Sequence, residues 1–238
     1  MERTIYWKTL MMDSVPVTDQ LTYSFFEESA ENKDTVAGLT EDKALHWLFA
    51  HPIFRVDFAC EFFPDPGTVH AHFGLKEPFT QSQAFPGDID LLLLQPEHPD
   101  RPVAFECKRV KIIAQEGGAP IVNRLSELDR GILQAGAYRA LGFHQTYLLV
   151  ILLDDGRVMK TPNIMFRYND TAPIDKVFNI PWHKNLHPDV GVVYVRINQM
   201  TGKHIDHSHS IGYFIDKPAY PITQTAEMTN KIHSLLTS

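Results

Sequence analysis

The chain contains little cysteine and lacks any long apolar segment. Two of its 238 residues are cysteines, Cys60 and Cys107. They are too few for a disulfide framework, and they form no Cys-x-x-Cys pair that begins a zinc or iron–sulfur site. The longest relevant apolar run, residues 147–153, has seven residues, whereas a membrane-spanning helix requires about 20. We therefore expect reduced, buried thiols and no membrane span.

The first fifteen residues also lack the features of a secretory signal. They carry charges at Glu2, Arg3, Lys8 and Asp13 and contain no continuous apolar stretch. A signal peptide places such a stretch between a basic start and a small-residue cleavage site. We therefore expect a cytoplasmic protein.

Basic residues are scarce overall but are concentrated in one segment. The net charge is −7, with 44% apolar and 21% charged residues. The first 100 residues hold 6 basic and 17 acidic side chains, whereas residues 101–139 hold 7 basic and 4 acidic ones. The overall charge disfavours a protein that coats nucleic acid non-specifically, and a polyanion would be expected to contact residues 101–139. Chance clustering on a solvated surface explains the same count.

Apolar periodicity predicts a layered α/β fold. Strands are predicted at 54–63, 89–94, 103–110, 147–153, 190–197 and 211–215, and helices at 40–51, 125–141 and about 225–236. For the central helix, Asn123 is the predicted N-cap and Gly142 the predicted left-handed residue after the last turn. Because this helix lies between two predicted strands, we expect it to cross over between strands of one sheet.

Two of the predicted strands carry charges among apolar residues. The first begins Asp88-Ile89-Asp90 and continues into four leucines, and the second contains Glu106 and Lys108. Side chains alternate across a strand, so Asp88 shares a face with Asp90, and Glu106 shares a face with Lys108. A carboxylate buried beside apolar residues is unstable unless it is paired, hydrogen-bonded or bound to a metal. The arrangement therefore predicts a bound cation.

If these strands are neighbours, Asp90 and Glu106 supply hard oxygen ligands to one divalent ion. Mg²⁺ typically uses one or two protein carboxylates and several waters, and such an ion activates water and neutralises charge on a phosphoryl oxygen. Lys108 would orient or help deprotonate that water, or hold a phosphate as a point charge. This chemistry suits hydrolysis of a phosphodiester bond. The competing interpretation is that these residues are solvated charges at strand ends.

The spacing of these residues resembles a known nuclease superfamily. Gly-Asp-Ile-Asp ending at Asp90, an apolar strand, and Glu-x-Lys beginning at Glu106 resemble the PD-(D/E)XK nucleases. Gln134 and Tyr138 match the Gln-x-x-x-Tyr element of RecB-type members. The resemblance implies that Asp90, Glu106 and the Cys107 backbone carbonyl bind Mg²⁺ or Mn²⁺ and that Lys108 assists the attacking water. It makes Gln134 and Tyr138 supporting groups that orient the substrate or the lysine. The alternative places those two residues on an exposed helix face.

The resemblance also implies a fold and an activity. It predicts a restriction-endonuclease-like α/β core at 36–155, with a central mixed sheet flanked by helices. An irregular lead-in at 1–35 precedes this core, and a strand and helix extension at 156–238 packs on it. The expected function is metal-dependent hydrolysis of DNA. The alternatives are a catalytically silent adaptor or binding subunit with the same fold, and a ribonuclease using the same residues. A homodimer and a complex with a protein partner are the candidate assemblies.

Further candidate residues lie outside this motif. Members often add an acid or histidine from a preceding helix, which makes Glu41 and His46 candidates, although Glu41 equally suits a helix N-terminus. The segment carrying His204, His207 and His209 has no cysteine partner, and a solvated turn explains it better than a zinc site. The glycine-bearing segment 114–120 is a predicted loop that contacts or covers the site.

Overall fold

The computed structural model describes residues 7–11, 40–76, 78–79, 87–115, 118–155, 172–199 and 210–237. These residues form an α/β structure. Its strands are β1 (Lys8–Met11), β2 (His70–Leu75), β3 (Ile89–Leu94), β4 (Val103–Gln115), β5 (Gly118–Asn123), β6 (Gln145–Asp155), β7 (Gly191–Gln199) and β8 (Ser210–Lys217). Its helices are α1 (Glu41–Ala50), α2 (Pro52–Ala59), α3 (Leu125–Leu141), α4 (Ala172–Phe178) and α5 (Ala226–Thr237).

All eight strands belong to one mixed sheet. Seven of them follow the order β1-β8-β7-β6-β4-β3-β2, and β5 pairs with β4. Strands β4, β6 and β7 run parallel to one another, and the remaining pairings are antiparallel. Helix α3 lies between β4 and β6 in the chain, so the predicted crossover helix is confirmed.

Helices cover both faces of the sheet. On one face, α1 and α2 pack against Cys107, Leu149 and Ile151. On the other face, α3 packs against residues that include Leu148 and Val150, and α5 packs on a third cluster beside it. Because β6 is covered on both faces, its residues 146–153 are all buried. This explains its unbroken apolar sequence.

The predicted strand at 54–63 is wrong, because α2 occupies most of that segment. Phe54 and Phe58 are fully buried and stack with ring centroids 5.2 Å apart. A spacing of four fits one helix face as well as one strand face, so it does not separate the two structures. Val56 decides between them: it is 41% exposed, whereas a strand with a period of two would bury it. Pro52 also suits the first turn of a helix.

Two further corrections concern the segment before α3. The residue preceding the helix is Arg124, which has a left-handed φ of 64°. The predicted N-cap, Asn123, is instead the last residue of β5, where it pairs with Lys111 of β4. Within the predicted loop at 114–120, residues 114–115 belong to β4 and residues 118–120 belong to β5, and Gln115 pairs with Gly118. The predicted helix end is confirmed, since Gly142 has a φ of 97° and caps α3.

The two ends of the chain contribute to the same sheet. Residues 8–11, expected to be irregular, form β1 and pair with β8. The predicted strands at 190–197 and 211–215 correspond to β7 and β8, and the closing helix corresponds to α5. The boundaries proposed at residues 35 and 155 stay a prediction. The histidines at 204, 207 and 209 lie outside the described residues.

Within the described ranges, no helix is long and apolar enough to cross a bilayer.

Candidate active site

The candidate site lies at a gap along one edge of β4. On this edge, β4 pairs with β3 through Phe105 and with β5 from Lys111 onward. Two backbone N–H groups in the gap donate to carboxylates instead of to a strand. The N–H of Cys107 donates to Asp90 Oδ2 at 2.6 Å, and that of Arg109 donates to Glu41 Oε2 at 2.9 Å. The gap therefore brings carboxylates from β3 and α1 against β4.

Lys108 lies at the centre of these carboxylates. Its Nζ is 2.5 Å from Glu106 Oε1, 3.3 Å from Glu41 Oε1 and 2.7 Å from the Cys107 carbonyl oxygen. The side chains of Lys108 and Glu106 are 8% and 1% exposed. We refer to Glu41, Asp90, Glu106 and Lys108 as the Lys108 cluster. The structure thus brings together the three predicted central residues and Glu41.

Burial shifts the protonation of the carboxylates. Desolvation, followed by the charge of the nearby Glu106, raises the pKa of Asp90, which is about 8 in the fold. The Lys108 charge and the Cys107 N–H act in the opposite direction. Burial likewise raises the pKa of Glu106 against the attraction of Lys108. One ammonium group therefore does not compensate the carboxylates that surround it.

Lys108 itself is held in its charged form. Burial lowers its pKa, but the carboxylates of Glu106, Glu41 and Asp90 outweigh burial, and the net pKa is raised. A lysine with a raised pKa donates hydrogen bonds and does not accept a proton near neutral pH. This environment favours a role for Lys108 in holding a carboxylate or a phosphate over a role in deprotonating water.

One oxygen of the Glu106 carboxylate receives no hydrogen bond from the described residues. The Tyr138 hydroxyl lies near Glu106 and affects its pKa, but its single proton is donated to the Asp88 carbonyl oxygen. Among the described residues, Glu106 Oε2 is buried without a hydrogen-bond partner. A buried, unpartnered carboxylate oxygen is unfavourable by roughly 1–3 kcal/mol or more. It therefore marks a position where a cation or a donor from a ligand would be stabilising.

Gln134 and Tyr138 are buried against the start of β3, so the interpretation of an exposed helix face is wrong. Tyr138 is fully buried and hydrogen-bonds the Asp88 carbonyl. Burial, followed by the charges of Glu106 and Asp90, raises its pKa. Gln134 Nε2 lies 3.7 Å from the position that a Cβ on Gly87 would occupy. Tyr138 therefore ties α3 to the segment that leads into Asp90, and Gln134 lies beside that segment.

The structure separates the two candidates on α1. Glu41 joins the Lys108 cluster, although it also lies in the first turn, where Thr40 caps the helix. His46 is exposed, and its ring lies 4.3 Å from that of Phe73 on β2. The Asp88 side chain, expected on the face of Asp90, is half-exposed and lies 3.5 Å from Lys76. The backbone donors of Cys107 and Arg109 had no signal in the sequence, because they depend on the gap between β3 and β5.

The donor chemistry of the site fits a hard divalent cation. In the part of the chain that the structure describes, no group of three or more histidine, cysteine or acidic side chains is arranged to hold a metal. Two carboxylates plus water form a sufficient set for Mg²⁺, and the unpartnered Glu106 Oε2 and the half-buried Asp90 supply them. The Cys107 carbonyl, the third predicted ligand, accepts a hydrogen bond from Lys108.

No protein-family model matches the chain, and no curated protein matches it significantly.

Proposed function

We propose that this protein is a metal-dependent nuclease with its active site at the Lys108 cluster. The observation that carries the proposal is the excess of buried and half-buried carboxylates around one lysine, with Glu106 Oε2 left without a donor among the described residues. A fold gains little from a buried cluster of charges, since replacing a buried ion pair with apolar residues of similar volume is often neutral or stabilising. A site that binds a cation, in contrast, requires carboxylates in excess of the local positive charge.

The residues divide the proposed work among them. Asp90 and Glu106 would hold Mg²⁺ or Mn²⁺, which when bound activates water and neutralises charge on the phosphate. Lys108 orients the Glu106 carboxylate through Oε1 and presents a positive charge at the gap. Glu41 holds the ammonium from the other side. Tyr138 holds the backbone that precedes Asp90 through its hydrogen bond to Asp88, and Gln134 lies beside it.

The arrangement of the strands supports the proposed restriction-endonuclease-like core. The Asp-bearing strand β3 is antiparallel to β4, which carries Glu106 and Lys108. The crossover helix α3 then leads to the parallel strand β6. This order matches the PD-(D/E)XK pattern implied by the sequence. DNA is the proposed substrate on that resemblance, and the cytoplasmic location and any homodimer or protein partner stay predictions.

The test is to titrate Mg²⁺ and Mn²⁺ into the purified protein while measuring heat and cleavage. The substrates are linear, circular and single-stranded DNA together with RNA, because discrimination between DNA and RNA depends on contacts to the 2′-hydroxyl. The variants are Asp90→Asn and Lys108→Ala. The matched control is Asp57→Asn, because the Asp57 carboxylate also contacts a lysine, Lys8, but lies in another part of the fold.

We expect cleavage that requires metal and falls by at least about 10³-fold in both site variants, as for removal of a central catalytic group. Heat of metal binding should be lost in Asp90→Asn and retained in Asp57→Asn. Cleavage of RNA alone would move the substrate to the ribonuclease alternative. Metal uptake without cleavage of any substrate would favour the adaptor alternative, and absence of uptake at millimolar metal would overturn the proposal.

A further inference from the structure

Helix α3 carries a glycine, Gly131, directly against the aliphatic part of the Lys108 side chain, which we refer to as the Lys108 stem. A Cβ built on Gly131 would lie 2.5 Å from Lys108 Cγ and 3.2 Å from both Lys108 Cδ and Leu148 Cδ1. Real Cβ atoms essentially never approach another heavy atom to 2.5 Å, so any larger residue at this position forces a displacement. Gly136 in the same helix differs, because a Cβ there would meet only His187 Cβ at 3.9 Å.

Lys108 is poorly able to yield to such a contact. The atoms that would clash are in the middle of its side chain, while its ammonium group is held by Glu106, Glu41 and the Cys107 carbonyl. Moving the stem away from α3 would pull Nζ away from at least one of these acceptors. Moving the helix instead would disturb Tyr138 and its hydrogen bond to Asp88.

Glycine in the interior of a helix is less stable than alanine. At position 131 the backbone is in α3 and needs no left-handed conformation, so backbone geometry does not require the glycine. The close approach of the Lys108 side chain requires the glycine instead.

We propose that Gly131 is a positioning residue that lets α3 approach β4 closely enough for Lys108 to reach Glu106 and Glu41. The inference rests on the proposed nuclease function for its effect on cleavage, and on the contact alone for its effect on stability. The absence of a side chain at residue 131 places the ammonium group and thereby the Glu106 carboxylate.

The experiment compares Gly131→Ala with the matched variant Gly136→Ala in the full chain. Gly136→Ala should raise the melting temperature, as alanine does in a helix, while Gly131→Ala should lower it. In cleavage assays, Gly131→Ala should reduce kcat by about 10²-fold, the effect of misplacing a reacting group by about 1 Å. KM should change less than about threefold, whereas the metal concentration for half-maximal activity should rise, because Lys108 orients the Glu106 carboxylate.

The same substitution in a double variant that lacks the Lys108 side chain tests whether Gly131→Ala destabilises the protein through Lys108. In Glu106→Gln/Lys108→Ala, which removes both charges and the clashing stem, Gly131→Ala should lose most of its destabilising effect. The remaining effect is the contact with Leu148. If Gly131→Ala alone does not fold, restored folding of the triple variant supports the inference. If the parent cleaves nothing, the proposed function fails, while the melting temperatures still test the contact.

Two results would overturn the inference. The first is a Gly131→Ala protein that is stabilised as much as Gly136→Ala. The second is a Gly131→Ala protein that is destabilised but cleaves at the parental rate, since Gly131 would then be a packing residue alone.

Discussion

Two clusters in this molecule each place carboxylates around one lysine. The first is the Lys108 cluster at the gap between β3 and β5. The second, which we refer to as the Lys8 cluster, consists of Lys8, Asp57, Glu61 and Tyr213 and joins β1 and β8 to α2. In it, Lys8 Nζ lies 2.8 Å from Asp57 Oδ1, and the Tyr213 hydroxyl donates to Asp57 Oδ2 at 2.6 Å. The residue types are nearly the same in both clusters.

The clusters differ in burial and in charge balance. Lys8 is 45% exposed and Lys108 is 8% exposed. Both oxygens of Asp57 have a partner, whereas Glu106 Oε2 has none among the described residues. In both lysines, burial lowers the pKa but neighbouring carboxylates raise it above the ordinary value. The lysines therefore do not distinguish the clusters. The buried, unpartnered oxygen of Glu106 does, and it indicates which cluster is suited to bind a ligand.

The largest expected difference is the stability lost when each lysine is removed. Lys108→Ala should lower the free energy of unfolding of the metal-free protein by roughly 3–5 kcal/mol, because Glu106 is left buried without its counter-charge. Lys8→Ala should lower it by about 1 kcal/mol or less, since its ion pairs are exposed to solvent. Urea denaturation of the two variants measures both values. Equal losses would contradict the distinction between the clusters.

A smaller and opposite effect is expected for Asp90→Asn. The pKa of Asp90 is about 8 in the fold, against 3.8 for an ordinary aspartate. Below about pH 4, Asp90 is protonated in both the folded and the unfolded state. Between about pH 4 and 8, Asp90 ionises in the unfolded chain but stays protonated in the fold. The free energy of unfolding of the parent therefore falls as the pH rises through this range. Asp90→Asn should therefore be more stable than the parent by roughly 2 kcal/mol at about pH 8, with a smaller gain at about pH 5.

Thermal unfolding at the two pH values measures this effect in metal-free buffer. Asp57→Asn is the control, because it removes a partner of Lys8 and should destabilise the protein at both pH values. A gain for Asp90→Asn that does not depend on pH would show that Asp90 is ionised in the fold.

The smallest expected effect is stabilisation by metal. A ligand present at ten times its dissociation constant stabilises the folded state by about 1.4 kcal/mol. Mg²⁺ should therefore raise the melting temperature of the parent and of Asp57→Asn by a few degrees, and leave that of Asp90→Asn unchanged. Differential scanning calorimetry with and without Mg²⁺ measures the shift. An equal shift in Asp90→Asn would place the bound metal elsewhere.

The strands of the central sheet were predictable because their apolar runs reflect burial on one or both faces. The runs at 89–94 and 147–153 correspond to β3 and β6. Strand β2 was not predicted, because it is an edge strand whose positions are half-buried or exposed and include His70 and His72. The segment beginning at Phe54 was assigned to the wrong structure, because its aromatic spacing fits both periods and only packing chose the helix.

The candidate site divides in the same way. The sequence by itself determined that Glu106 and Lys108 share one face of a strand and that Asp90 lies in a strand sixteen residues earlier. It also brought Gln134 and Tyr138 onto one side of α3. These relations depend only on the periodicity of a strand or a helix, which can be recognised from the sequence.

Only the tertiary structure decided which charges meet. Glu41 rather than His46 reaches Lys108 because the start of α1 lies against the gap in β4. Gly131 is in contact with the Lys108 stem because α3 packs across β4. Both contacts join residues far apart in the chain, and their distances depend on how helices pack on the sheet, which no short-range pattern of residues specifies.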